Sequence, residues 1–445
     1  MVEDAIAGGL GMSGRGRLRA AGAATALVLV LGLAAGGNRP SALAAPKTFH
    51  IIGGGYGHGI GMSQYGAHGM ALRGATAGRI ISFYYGGSVA RPARLPATIR
   101  VGLLQADRDP RTGGRLGQVL VRGVEVPGRG GRGRFTVAGV ATTGRVHTRA
   151  LAGHVTWSIR PEAGGTSVVD PGGSRAFGPT RPGAGVVVRY QATGRPTRLL
   201  LPQTGQQLRW GRLDVHLVRD DRGTLRQRAV AVLPFNAYLR GLAEMPGSFA
   251  NEALQAQAIA ARSYALATVL ARGQRFGAST WNGCRCALYG TVRDQAYAGY
   301  AKETGHWGGR WVRAVRDTGS LVVRHGGRVV QAFYSSSSGG STSSNAQWGS
   351  APLPWFPSRS DDRYDRGGGG HPNPNYRWRV DVPATTLGAR LGVGTALAVA
   401  ETKVASWGGR VSTVRVRGSS GTVTVTGALF RRVFGLKSTK FHVTP

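Results

Sequence analysis

The chain has 445 residues, with 57 Lys and Arg against 20 Asp and Glu, and a formal net charge of +37. That length allows one large or two ordinary domains with a real core. A balance this basic argues for an anionic polymer as partner or surroundings, for which nucleic acid, anionic lipid and anionic cell wall all qualify. Part of the excess is Arg scattered among Gly, as in residues 128–134, which a high-GC genome also produces.

The N-terminus narrows the choice. Arg15, Arg17 and Arg19 precede an apolar run from Ala20 to Gly37, and Ala42-Leu43-Ala44 supplies small residues at cleavage spacing. This order predicts a secretory signal peptide over residues 1–45, with an uncleaved anchor as the runner-up. No later stretch is apolar enough to span a bilayer. Export disfavours DNA or RNA as a partner and favours the envelope.

The segment His50 to Gly69, HIIGGGYGHGIGMSQYGAHG, is rich in Gly. A phosphate-binding P-loop needs Gly-Lys-Ser/Thr at a helix start, and none follows. His58 and His68 have no adjacent carboxylate or Cys, so a structural role outweighs metal binding. From Ile99 to Val232 the signals are β. Residues 98–104, 213–218 and 228–232 alternate, Gly and Pro clusters punctuate them, and Gly164 to Gly185 reads as a surface loop or insertion.

Tyr238 to Leu270 begins with a strand-like lead-in, turns at Pro246, and continues as a long helix of good helix formers from Asn251. Ser248 or Asn251 is placed to cap it. The alanines make this helix thin, so other backbone can pack close. Glu244 stands before the corner, with Leu242, Met245 and Phe249 around it. That apolar setting is expected to raise its pKa. A Glu here also fits plain electrostatics with the helix end.

Two cysteines, Cys284 and Cys286, lie in one short loop. In an exported chain a pair suggests a disulfide, yet this bridge would close a very small ring. Zinc would need further ligands, and His306 is the nearest downstream His. Disulfide, free thiols and metal-bound thiols stay open at this level. Residues 331–342, QAFYSSSSGGST, lack a nucleophile elbow and an activating Lys or His, so a Ser-rich turn is the simpler reading. The C-terminal part predicts a short helix near Ala384 to Leu391 and strands over 411–416 and 422–425.

The density of motif matches identifies a resemblance. Tyr238, Leu239, Gly241, Glu244, Met245 and Pro246, followed by Glu252-Ala253-Leu254, Ala256-Gln257-Ala258, Ala260-Ala261-Arg262 and Tyr264, resemble the core signature of the SpoIID/LytB family. Residues 55–67, Tyr334 to Gly340, and 427–438 resemble its other segments, so the likeness runs from about His50 to Val443. The resemblance implies an α+β fold, with a β-rich scaffold and lobe around a cleft and one long Ala-rich helix. The expected organisation is one SpoIID/LytB-like domain over 46–445. Within it, 97–232 is the β-rich lobe, 233–345 the catalytic core and 376–445 a C-terminal β-rich part.

The resemblance also implies Glu244 as the catalytic acid, and substrate-binding roles for His58, Ser63, Gln64, Arg262, Tyr264, Tyr334, Ser335 and Ser336. Some family members carry zinc on Cys and His in the cysteine loop, and this sequence departs from that pattern because a nearby upstream His is missing. Two functions compete. One is a lytic transglycosylase that cuts peptidoglycan glycan strands and leaves 1,6-anhydro ends, a reaction one carboxyl can serve alone. The other is a wall-bound protein, held by anionic wall polymers, that enhances an N-acetylmuramoyl-L-alanine amidase without cutting glycan. An exported nucleic-acid binder rests on charge alone.

Overall fold

A computed structural model describes residues 46–105, 117–125, 133–192, 195–219, 223–277, 283–368, 370–404 and 408–445. The signal-peptide expectation lies outside these residues, as does most of the 128–134 Arg-Gly stretch. Among the described residues no helix is long and apolar enough to cross a membrane. Helices and strands are both present, and the fold is α+β.

The alternating segments of the middle build two sheets that share one core. The larger has seven strands, with Leu225–Pro234 between Thr98–Leu104 and Arg212–Arg219, and Val186–Arg189, Phe135–Val140 and Val146–Leu151 beyond. Its far edge is Leu288–Tyr289, which runs parallel to Thr98–Leu104. The six-stranded sheet has Thr156–Glu162 and Val119–Val124 at its centre. Val119, Val121 and Leu199 from it are buried in the same cluster as Val137, Val188 and Leu213 from the larger one.

Gly164 to Gly185 is not a surface loop. Gly165–Val169 and Arg175–Phe177 are strands of the six-stranded sheet, and all five residues of the first are buried. The Thr166 hydroxyl donates to the Ala184 carbonyl at 2.8 Å, which folds the segment's end back onto that strand. The lead-in at Tyr238 is also not a strand. Phe235–Arg240 is a short helix that buries Phe235, Tyr238 and Leu239.

The long helix is Asn251–Arg272, and it is enclosed by neighbours. Helices Gln64–Ala71, Ala77–Tyr84 and Gly308–Asp317 and the strand Leu321–His325 pack on it. Four partners can crowd one helix only where its surface is narrow, and Ala253, Ala256, Ala258, Ala260, Ala261 and Ala265 are all buried. Neither Ser248 nor Asn251 caps it. The cap position is Ala250, and its N–H donates to His68 Nδ1 at 3.0 Å, so a distant imidazole does the work expected of a local hydroxyl. Glu252 in the first turn accepts the Ala77 N–H at 2.7 Å and so ties down the start of helix Ala77–Tyr84 as well.

The two ends of the described chain meet. Thr48–Gly53 is the central strand of a three-stranded sheet, between Trp378–Pro383 and Phe441–Thr444. Behind it a second core holds Phe49, Ile51, Leu387, Val414, Val416, Phe430 and Phe434. Helices Ala384–Leu391 and Gly427–Phe434 pack against a further three-stranded sheet made of Ala396–Val404, Val411–Gly418 and Gly421–Thr426. This closure carries the Gly-rich segment and the C-terminal helix to the same side of the long helix.

Candidate functional site

Met62–Ser63 pairs in parallel with Tyr334–Ser335, and Tyr56 bridges to Ser337. The Gly-rich segment therefore lies backbone to backbone on the Ser-rich one. Gly57 shows why the glycines are needed. Its φ is 101°, and a Cβ there would sit 2.9 Å from the Ser335 side chain. Beside this pair is a cavity of about 360 Å³. Its wall includes Tyr56, His58 and Gln64 from the first segment, Phe333, Tyr334, Ser335 and Ser336 from the second, Glu244 and Tyr264 from the core signature, Val292 and Asp294 from the stretch after the cysteines, and Arg431.

Glu244 is half-buried, with Leu242, Met245 and Phe249 all in the core. Desolvation pushes its pKa up to about 7, against the pull of the Ala296 N–H and the Lys302 ammonium. The Ala296 amide donates to Oε1, and Oε2 takes no hydrogen bond from the described residues. Lys302 donates to the Met245 carbonyl at 2.7 Å and so fixes the backbone next to the acid. Asp294, the other carboxylate in the wall, is fully engaged. Arg272 Nη1 donates to both of its oxygens at 3.0 Å, the Tyr264 hydroxyl to Oδ1 at 3.0 Å, and the Tyr289 N–H to Oδ2 at 2.8 Å. Glu244 has a proton to exchange near neutral pH and an oxygen open to the cavity.

The residues expected to bind substrate divide. Tyr334 receives an N–H from Gln295 at 2.8 Å, and Gln295 in turn receives the Tyr238 hydroxyl, a chain that locks the ring at the wall. The Ser335 hydroxyl is buried with no partner among the described residues, an arrangement that leaves a polar atom open to a ligand. The Ser336 hydroxyl takes an N–H from Asn375 at 3.3 Å. Gln64 reaches the wall, but its amide donates to Gln257 at 3.2 Å. His58 Nδ1 accepts the Ile60 N–H at 3.0 Å, and burial with Arg410 and Arg431 nearby holds its pKa down to about 3. The imidazole is neutral, stacked edge-on against Phe333 and Trp348.

Two expectations are corrected. Arg262 does not line the cavity. It is fully buried on the long helix and donates to the Leu321 and Val315 carbonyls at 3.0 Å and to Thr318 Oγ1 at 3.2 Å. It satisfies the end of helix Gly308–Asp317, whose last carbonyls lack intrahelical donors. Ser63 is also buried: its hydroxyl caps helix Gln64–Ala71 by accepting the Gly66 N–H at 3.1 Å, and donates to Asp365 at 2.5 Å. Cys284 and Cys286 are joined in a disulfide. Bound to each other they offer zinc no thiolate, and among the described residues no group of three or more His, Cys, Asp or Glu is arranged to hold a metal.

Asp361 and Asp365 stand late in the chain, outside the motifs read from the sequence. They form a buried hub behind the serines. Asp365 accepts hydroxyls from Ser63 and Ser337 and the Gly339 N–H, and Asp361 accepts from Ser338 at 2.6 Å and Tyr84 at 3.0 Å. The available signal was the serine run itself, since buried hydroxyls need acceptors. Lys302 carried no local signal beyond its charge, and Arg431 only its place in the 427–438 segment.

Residues 224–325 match the family model SpoIID, described as stage II sporulation protein. A 120-residue stretch is 31% identical to the amidase enhancer of Bacillus subtilis (strain 168), covering 27% of this chain and 14% of that protein. Both matches support assigning residues 224–325 to the SpoIID/LytB family, and the chain spans only a small part of the length of the curated relative. The family model takes in Glu244, the long helix, the disulfide and Lys302, while the Gly-rich and Ser-rich segments lie outside it.

Proposed function

We propose that this is an exported cell-wall protein and a lytic transglycosylase of peptidoglycan. The observation that carries the reading is Glu244: a carboxyl whose pKa is near 7, in the wall of a hydroxyl-lined cavity, with one oxygen anchored and the other without a protein partner among the described residues. Glu244 gives its proton to the glycosidic oxygen between N-acetylmuramic acid and N-acetylglucosamine as the C1–O bond breaks. Its carboxylate then takes the proton of the muramyl 6-hydroxyl while O6 bonds to C1. The products are a free glucosamine 4-hydroxyl and a 1,6-anhydro end, and no water is consumed. One acid serves both steps, in keeping with the full engagement of Asp294. The Ser335 hydroxyl and the Tyr334 and Phe333 rings suit sugar hydroxyls and ring faces.

The second reading is a non-catalytic wall protein that enhances an amidase. It is favoured by the name of the Bacillus relative, and the +37 charge would hold the protein on anionic wall polymers. Incubating the protein with purified glycan strands and analysing the products by mass spectrometry separates the two. New 1,6-anhydromuramyl ends are expected. Intact strands, with faster release of peptides when an amidase is added, would establish the second reading instead.

A further inference from the structure

We infer that the outer face of the sheet Ala396–Val404, Val411–Gly418 and Gly421–Thr426 is a docking surface for a linear polyol phosphodiester, held phosphate by phosphate on Arg415, Arg417 and Lys403. The inference rests on the cell-wall placement proposed above and on neither of the two activities weighed there.

Alternation defines the face. Val414 and Val416 on the central strand point into the second core, and Val399 and Val423 from the flanking strands pack on it. Arg415 and Arg417, one residue out of step, stand on the opposite side and are exposed. Arg415 lies in register between Ala400 and Thr424, and Arg417 between Ala398 and Thr422. Lys403, also exposed, is in register with Thr413 in the next row. Among the described residues none of the three cations has a hydrogen bond, an ion pair or a ring contact.

The surroundings supply no counter-charge. From Ala384 to Pro445 the one acid in the sequence is Glu401. It is in register with Val414, away from the face, and is engaged by the Val443 N–H at 2.7 Å and by His442 Nδ1 at 3.0 Å. Neighbours across a solvent-facing sheet gain from opposite charges, and like charges repel. Thr alone would keep this face soluble. Cations lined up without an acid find their counter-charge outside the chain.

Spacing and chemistry select the partner. Successive outward residues of a strand are roughly 7 Å apart, the reach of six backbone bonds. A phosphodiester chain bridged by three carbons also has six bonds from one phosphorus to the next, so its charges repeat at about the same interval when extended. Guanidinium and ammonium groups donate to phosphate oxygens, and the Thr422 and Thr424 hydroxyls beside them suit the polyol. An anionic bilayer would ask for large apolar side chains next to the cations, and a single-stranded nucleic acid for aromatic platforms. The rows through Arg415 and Arg417 offer neither, only Ala and Thr.

The full chain is titrated with a labelled glycerol phosphate oligomer and followed by fluorescence anisotropy. Arg415→Gln with Arg417→Gln should weaken binding by about tenfold or more. It should also flatten the dependence of log affinity on log salt by about 1.4, as the loss of two phosphate contacts requires. Arg415→Lys with Arg417→Lys keeps both charges and should keep most of the affinity. Arg313→Gln with Arg328→Gln removes the same charge from exposed positions elsewhere and should stay within about twofold of the parent, because salt screens distant charges. A thymidine oligonucleotide of equal charge and phosphatidylglycerol vesicles should each lose less affinity for the 415/417 variant than the glycerol phosphate oligomer does. The inference is overturned if the parent does not bind the oligomer, if the two double Gln variants weaken it alike, or if the 415/417 pair matters as much or more to the oligonucleotide or the vesicles. Release of anhydro ends from polymer-free glycan strands should be unchanged in the 415/417 variant, so failure of the docking surface leaves the proposed activity standing. A loss of that release would place the two arginines in the glycan site and overturn the inference.

Discussion

Glu244 and Asp361 are both carboxyls whose pKa burial pushes up to about 7, and they do opposite things. Asp361 is enclosed, with its oxygens taken by the Ser338 and Tyr84 hydroxyls and Asp365 beside it. Its perturbation reflects the cost of a buried hydrogen-bond hub that holds the Ser-rich segment in place. Glu244 has one oxygen anchored by a backbone amide and stands in a cavity wall. A raised pKa alone therefore identifies neither a catalyst nor a scaffold; access to a ligand does.

The contrast breaks most sharply at Glu244→Gln. The amide keeps the shape and removes the transferable proton, so release of anhydro ends should fall by about 10²–10⁴-fold, with the native fold and glycan binding retained. Release at the parent rate would move the acid elsewhere in the wall and weaken the enzymatic reading.

A pH experiment separates the two carboxyls from the rest of the molecule. Each binds its proton more tightly folded than unfolded, so its contribution to stability is whole below about pH 4 and is lost as the pH rises through about 7. His58 and His216, held down at about 3 and about 4, run the other way: their contribution is whole above about pH 6.5 and lost as the pH falls. The two pairs offset in the parent, so the signature lies in a difference. Relative to the parent, Glu244→Gln should gain stability between about pH 5 and 8, by on the order of 3 kcal/mol, measured by denaturant titration at each pH. A constant difference would show that Glu244 is not perturbed.

Asp361→Asn is the converse variant. Its amide N–H₂ would face a hydroxyl that now donates to Asp361, at a cost on the order of 2 kcal/mol in denaturant unfolding. The activity of the folded fraction should be unchanged. A specific loss of turnover without loss of stability would erase the distinction between hub and acid.

The smallest effect is expected at Lys302→Met. Loss of the ammonium removes a charge that favours ionised Glu244, so the pH–rate limb set by that carboxyl should move upward. The maximum rate should fall by no more than about tenfold, from slack at the Met245 carbonyl. An unmoved limb would reduce Lys302 to a backbone brace.

Much was legible before any coordinates. Strand Thr98–Leu104 and helix Ala384–Leu391 lie where the sequence pattern places them, because alternation and helical spacing are local signals. The Ala-rich run predicts a long helix that neighbours can approach, and the apolar residues beside Glu244 predict the direction of its pKa. The resemblance was legible for the same reason, since motif residues are read one by one. Which polar residues face a cavity is not a local property. Arg262 and Ser63 are polar residues of the motifs, yet their donors are consumed at 321, 315 and 365, positions far away in the chain. His68 caps a helix 182 residues downstream. Arg431 reaches the wall only because Thr48–Gly53 is inserted between Trp378–Pro383 and Phe441–Thr444. Residue type and spacing determined most of the elements and the direction of the Glu244 pKa. Long-range pairing of strands and the obligation of every buried donor to find an acceptor decided which side chains are left for a ligand.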